Sequence, residues 1–214
     1  MFNSKYKKQW SDITLKQFAK LKAINEREYD DDTDRLCDIL SVVYECDINQ
    51  VPITTYNAMV NGLGFMSDDV PTKRPHSKYK INDVEYEFCS NVADITVAQY
   101  QDFQSFALQD DIRGMVGCVL IPSGHRYSDG YDTEYLDSVD IVTARACISF
   151  FVSCWTRFIE LFQRYSIKSM KQMEKTMKKG KLTEKQRKEM ERALAFYRLL
   201  SASVEKQTKQ LQTR

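Results

Sequence analysis

The chain of 214 residues carries 31 Lys/Arg against 30 Asp/Glu, a net charge of +1, and 43% of its residues are hydrophobic. These proportions are typical of a folded globular protein, and seven glycines with four prolines exclude collagen-like or Pro/Gly-rich low-complexity character. The sequence has no run of about 20 apolar residues, and its first eight residues lack the apolar core of a signal peptide. We therefore expect no membrane partner, and a protein made in and acting from the cytoplasm.

The near-neutral total conceals two parts of opposite charge. Residues 164–214 contain 15 Lys/Arg and 5 Asp/Glu, whereas residues 1–163 contain 16 and 25. The two parts therefore carry net charges of +10 and −9. This asymmetry indicates a partner of opposite charge, attraction between the two parts, or a helical tail whose lysines keep it soluble.

One helix-start pattern recurs along the sequence. A Thr that precedes a Gln by three residues has the spacing of a capping box, in which each residue satisfies a backbone N–H of the other. Two of the three examples share flanking residues, which either duplication of a unit or convergence on a good capping sequence would explain. The three pairs are Thr14 with Gln17, Thr96 with Gln99, and Thr183 with Gln186.

Hydrophobic periodicity and turn residues predict a succession of helices with one β-hairpin. The hairpin is placed at the alternating residues on either side of Asn82 and Asp83, a dipeptide suited to a tight turn. In chain order the predicted elements are helices over about 15–28, 33–44 and 54–62, a loop over 67–80, strands over 78–81 and 84–88, helices over 96–108 and 112–120, and a loop over 122–137.

The last third of the chain is predicted to form a core helix and then a helical hairpin. Residues 140–165 are apolar nearly all round, Leu161 included, as in the central helix of a hydrophobic core. Beyond them, Gly180 is suited to ending one helix, and Thr183 starts another. The predicted fold is thus mainly α: a helical body (1–163) with a small β-hairpin near 78–89, followed by a C-terminal basic helical hairpin, the arm (164–214).

Each helix of the predicted arm has an apolar seam. The first seam is rich in methionine, and the second repeats every seven residues, as in a coiled coil. Two interpretations remain open: the seams pack against each other, or they form an adaptable docking face for another protein or subunit. The candidate docking residues are Met170, Met173, Met177, Met190, Tyr197 and Val204.

Basic residues cluster around the predicted tip of the arm. Such a patch would contact nucleic-acid phosphates without sequence preference, and its affinity would fall steeply with salt. Interspersed glutamates and the lack of a recognised DNA-reading module weigh against this alternative. The candidate phosphate contacts are Lys175, Lys178, Lys179, Lys181, Lys185, Arg187 and Lys188.

No sequence motif indicates catalysis, a cofactor or a metal. Phosphate-binding, dinucleotide-binding, nucleophile-elbow and zinc-protease motifs are absent from the sequence. The six cysteines form no C-x-x-C pair and the only histidines are His76 and His125, so we expect reduced, packed thiols and no zinc site. The acidic run over 30–34 lacks the spacing of a calcium loop, and Thr33 or a neighbouring Asp is predicted to cap the second helix. His125, in its loop, is the one candidate catalytic group, and a solvated histidine explains it better. We expect a non-enzymatic protein.

Four segments resemble small proteins of tailed bacteriophages that infect Bacteroidales, namely the crAss-like phages and their relatives. They are 10–18 (WSDITLKQF), 94–103 (DITVAQYQDF), 120–132 (LIPSGHRYSDGYD) and 149–151 (SFF). In order and spacing they cover roughly residues 10–165, and the basic arm lies outside the resemblance.

The resemblance implies a role in building the virion. Such proteins look like products of structural or tail-assembly gene modules, so the expected function is that of a tail-assembly chaperone or a minor virion component. The expected partners are other phage structural or tail proteins, or further copies of this chain in a ring. The expected location is the host cytoplasm, with incorporation into the virion in the second case.

Overall fold

The computed structural model describes residues 6–91, 94–131, 133–178 and 183–195. The protein is mainly helical and has a small antiparallel sheet of three strands, which confirms the predicted fold class. The elements are α1 (Leu15–Glu26), α2 (Asp32–Tyr44), α3 (Ile53–Gly62), β1 (Lys78–Ile81), β2 (Val84–Phe88), α4 (Val97–Leu108), α5 (Ile112–Val119), β3 (Leu120–Pro122), α6 (Ile141–Lys178) and α7 (184–195).

The capping boxes start α1, α4 and α7, as the sequence predicts. At α1 the Gln17 N–H donates to Thr14 Oγ1 at 3.2 Å, and the Thr14 N–H donates to Gln17 Oε1 at 2.9 Å. At α4, Thr96 and Gln99 make the same pair of bonds at 3.1 and 3.0 Å. Each box satisfies backbone donors that have no partner within the helix.

The side chains of the first two box glutamines also join neighbouring helices. Gln17 is buried and its Nε2 donates to the carbonyl oxygen of Val42, in the last turn of α2, at 3.1 Å. Gln99 is buried and its Nε2 donates to the carbonyl oxygen of Cys118, in the last turn of α5, at 3.1 Å. The repeated start pattern therefore corresponds to a repeated arrangement, in which the start of one helix is bonded to the end of the next.

The acidic run caps α2, as predicted. The Asp31 side chain accepts a hydrogen bond from the Thr33 N–H at 2.8 Å. That bond stabilises the carboxylate and lowers the pKa of Asp31. Asp32 and Asp34 follow in the first turn, where negative charge is favourable.

The predicted β-hairpin is present, and a third strand accompanies it. Asn82 and Asp83 both have positive φ, 48° and 64°, the backbone conformation of a tight hairpin turn. The sequence placed residue 120 at the end of a helix, which was wrong: Leu120 begins β3, which pairs with β2. Three residues are too few to show alternation, so only the pairing with Phe88 reveals the strand.

The starts of α1 and α6 are joined by backbone hydrogen bonds. The Leu15 N–H donates to the carbonyl oxygen of Val139 at 2.7 Å, and the Ile141 N–H donates to that of Ile13 at 2.9 Å. Asp140 then caps α6 by accepting from the Thr143 N–H at 2.9 Å. The first turns of α6 lie in the core beside these bonds, where Ile141 and Cys147 are fully buried.

Helix α6 extends to Lys178, so the predicted end near residue 165 was wrong. The helix continues because residues 141–178 contain neither Gly nor Pro. Although α6 has 38 residues, no helix in the described part of the chain is long and apolar enough to cross a membrane.

Contacts divide the chain into two compact units, Met1–Phe151 and Val152–Arg214. Residues 1–151 contain 15 Lys/Arg and 24 Asp/Glu, and residues 152–214 contain 16 and 6. The units therefore carry net charges of −9 and +10, the same values as the division by charge at 163/164. The predicted boundary between body and arm, at 163/164, was placed by charge and does not coincide with the boundary set by contacts, at 151/152. The division into body and arm stays a prediction.

Candidate docking surface

The candidate docking methionines lie on helices of the second unit. Met170, Met173 and Met177 are half-buried on α6, and Met190 is half-buried on α7. Their spacing of three and four residues along α6 places the first three on one side of that helix. Tyr197 and Val204, also predicted as docking residues, lie outside the described residues.

The candidate phosphate-contacting residues are partly described. Lys175, Lys185, Arg187 and Lys188 are exposed. On α7, Arg187 pairs with Glu191 at 3.4 Å and Lys188 pairs with Glu184 at 3.3 Å. Lys179 and Lys181, together with the side chain of Lys178, lie outside the described residues.

A row of cations, of which the sequence analysis singled out only Lys175, follows α6. Its members are all exposed, and they are spaced by seven, four, three and four residues, which keeps them on one helix face. None of the ion pairs among the described residues involves them. We call this set the cationic row: Arg157, Arg164, Lys168, Lys171 and Lys175.

Two large apolar side chains accompany the cationic row. Leu161 lies between Arg157 and Arg164 and is 57% exposed, and the neighbouring Tyr165 is 65% exposed. The prediction that Leu161 belongs to a core helix was therefore wrong. Residues 140–165 are mostly apolar, and the seven-residue spacing of Arg157 and Arg164, on either side of Leu161, was the signal for an exposed face.

Three tyrosines, spaced four residues apart, join the loop predicted from 122 to 137 to α4, α5 and β3 by hydrogen bonds. Tyr127 donates to Asp102 Oδ2 at 2.7 Å, Tyr131 to the carbonyl oxygen of Gly117 at 2.8 Å, and Tyr135 to that of Leu120 at 2.6 Å. Burial raises the pKa of Tyr131 to about 12, and it raises the pKa of Tyr127 and Tyr135 further. These hydroxyls hold the loop and remain protonated at neutral pH.

This loop and the α4–α5 pair enclose a cavity of about 390 Å³. Its walls include Phe106, Tyr131 and Leu136, and its charged lining residues, Asp111 and Arg113, have structural partners. Asp111 caps α5 by accepting from the Gly114 N–H at 2.9 Å, and Arg113 pairs with Asp137 at 3.0 Å. The two charged side chains that line the cavity are therefore engaged in a helix cap and an ion pair that stabilise the fold.

The candidate catalytic residue His125 lines a separate cleft of about 270 Å³ together with Cys89 and Asp94. A cysteine nucleophile needs a lowered pKa. Here burial, and secondly the charge of Asp94, raises the pKa of Cys89, and its thiol donates to the carbonyl oxygen of Asn91 at 3.8 Å. The cleft thus brings a thiol, an imidazole and a carboxylate together without activating the thiol.

The other buried thiols are held in their protonated form. Burial raises the pKa of Cys118 to about 11 and that of Cys147 to about 12. Within the described ranges, no group of three or more His, Cys, Asp or Glu side chains could hold a metal ion.

No protein-family model, no curated protein and no solved structure matches the chain.

Proposed function

We propose that the protein acts in the assembly of a tailed-phage virion by docking structural or tail proteins through its basic helical arm. The observation that carries the proposal is α6 in the second unit, which has half-buried methionines on one side and a row of exposed cations with Leu161 and Tyr165 on another. Flexible methionines and exposed aromatic groups suit contact with another protein. The four segments that resemble small phage assembly proteins support the same role.

The assembly role could be that of a chaperone or of a virion component, and the two differ in whether the finished particle contains the protein. A chaperone would cover apolar surface of an assembling partner in the host cytoplasm and leave before the particle is complete. A minor component would remain in the virion, in a ring of copies or beside other tail proteins. Mass spectrometry of purified virions distinguishes them, since stoichiometric peptides of this chain would exclude the chaperone form.

Complementation of a phage that lacks the gene tests the proposal itself. We expect particles without complete tails in its absence, and rescue by the wild-type chain. Met173→Glu should reduce rescue at least about tenfold because it places a charge on the docking face. Gln101→Glu, which adds the same charge at an exposed position of α4 in the first unit, is the matched control. Normal particles in the absence of the protein would refute an assembly role.

Non-specific nucleic-acid binding is the second candidate function, and the cationic row favours it. Five exposed cations on one helix face, with Tyr165 available for stacking, match the chemistry of a single strand. If all five contact phosphates, the logarithm of affinity should fall with the logarithm of salt with a slope of about −3 to −4. Weak binding that is insensitive to salt would remove this candidate.

A further inference from the structure

We infer that the cationic row binds the acidic first unit of a second copy of this chain, so that copies associate head to tail. The inference rests on the proposed assembly function and names a partner within it. The row and its apolar neighbours, Leu161 and Tyr165, lie on the second unit. The proposed acceptor is the surface of residues 1–151 in another copy.

Charge complementarity is the first argument. The second unit carries +10 and the first unit carries −9, so each chain offers one surface of each sign. The row's cations are exposed and have no ion-pair partner among the described residues, whereas Arg187 and Lys188 on α7 are each paired. The row is therefore available to carboxylates of another molecule.

The apolar side chains on this face favour a protein over a nucleic acid. A phosphate backbone offers nothing to Leu161, which is 57% exposed between Arg157 and Arg164, whereas a protein surface can cover both Leu161 and Tyr165. The first unit would also repel a polyanion, because its own net charge is −9.

The size of the face sets the expected strength. The row runs from Arg157 to Lys175 on α6, 19 residues that span about 27 Å of helix and, at a helix width of about 10 Å, about 300 Å². Standard interfaces bury roughly 800 Å² on each partner. We therefore expect weak association that depends on concentration. The affinity between copies should fall at least about tenfold in high salt, where the charges are screened.

Head-to-tail contact has a geometric consequence. The two surfaces differ, so one chain can use both at once, and association either closes on itself with two or more copies or continues as an open filament. A chain whose row is disabled still offers its acidic unit. Such a chain should join the end of a wild-type assembly and stop its growth.

Sedimentation velocity of the full chain, freed of nucleic acid by nuclease treatment, tests the inference. In low salt we expect oligomers that dissociate in high salt. Arg164→Glu should weaken association at least about tenfold, because it reverses a charge in the row. Arg192→Glu makes the same exchange at an exposed position of α7 and should have little effect.

A second variant and its control test the contribution of the apolar side chains to association. Leu161→Glu should weaken association, while Ala195→Glu, which adds the same charge at an exposed position of α7, should not. Fluorescently labelled Arg164→Glu chain, mixed with wild type, should co-sediment and reduce the mean size of the oligomers. Circular dichroism of each variant checks that it is folded.

Four results would overturn the inference: a wild-type chain that is monomeric throughout the concentration series in low salt, association that is insensitive to salt, equal effects of Arg164→Glu and Arg192→Glu, or exclusion of the labelled variant from wild-type oligomers. A monomer that binds an oligonucleotide through Arg164 would replace the protein partner with a nucleic acid. A monomer that still rescues tail assembly would leave the proposed function in place, so the two failures are distinguishable.

Discussion

At the scale of single residues, Gln17 and Gln99 connect local to tertiary structure. Each closes a capping box at the start of its own helix and also donates to a carbonyl oxygen on the following helix. The first bond follows from a spacing of three residues and was predictable from the sequence. The second joins residues 25 and 19 positions apart, and no local pattern specifies it.

Gln99→Ala tests the double role. The change removes the side-chain acceptor for the Thr96 N–H and leaves the buried Cys118 carbonyl oxygen without this donor, so we expect a loss of about 2–3 kcal/mol in the free energy of unfolding. The exposed Gln101 on the same helix provides the control, and Gln101→Ala should change stability by less than about 0.5 kcal/mol. Denaturant titration measures both, and equal losses would contradict the cross-helix role.

Glycine is required at position 114 on α5 because the Phe106 ring of α4 lies close to its backbone. A Cβ atom at this position would overlap the Phe106 ring of α4, with Asp111 Oδ2 also at 2.8 Å. We expect Gly114→Ala to destabilise the protein by about 1–3 kcal/mol, although alanine is the better helix former by about 1 kcal/mol.

Gly64 is the matched control for Gly114, since a Cβ there would meet no atom within 4 Å. Gly64→Ala should be neutral or stabilise by up to about 1 kcal/mol, because it restricts the unfolded chain. Thermal unfolding of both variants provides the comparison. A stabilising Gly114→Ala would show that α4 and α5 can separate without cost.

At the scale of elements, the loop after β3 is organised by its tyrosines. The sequence identified this segment as distinctive and predicted no role for Tyr127, Tyr131 or Tyr135. Their four-residue spacing was visible, but their acceptors lie on α4, α5 and β3, and only the fold brings those elements to the loop.

The raised pKa values of these tyrosines predict alkaline destabilisation. Unfolded tyrosine has a pKa near 10, and burial raises the pKa of Tyr131 to about 12. Between those values the unfolded chain releases protons that the folded chain retains, so the free energy of unfolding falls as pH rises. The contribution is fully present below about pH 10.

Tyr131→Phe should reduce the slope of stability against pH in that window, because its hydroxyl no longer titrates. The difference between wild type and variant isolates this hydroxyl from lysines that titrate over the same range. Denaturant titrations at a series of alkaline pH values give the slopes, and identical slopes for the two proteins would contradict the assignment.

At the scale of the whole molecule, the charge boundary and the contact boundary differ by 12 residues but separate the same net charges. Splitting the sequence at 163/164 or at 151/152 gives −9 and +10, because the 12 residues between contain one Arg and one Glu. Composition thus indicated a two-part molecule. The extent of α6 was missed because a change from apolar to basic residues was interpreted as a helix end, whereas only Gly, Pro or a cap would have indicated one.

The backbone bonds between the starts of α1 and α6 also bear on the order in which the chain folds during synthesis. Ile13 and Leu15 cannot acquire these partners until Val139 and Ile141 have left the ribosome. At about 5–20 residues per second, the wait is on the order of ten seconds. Through that interval α1 and α2 can pair by the Gln17 bond, but the first unit cannot close. The first unit therefore stays open until the ribosome is already translating the basic arm, because residue 141 emerges only after the residues that fill the exit tunnel behind it have been made.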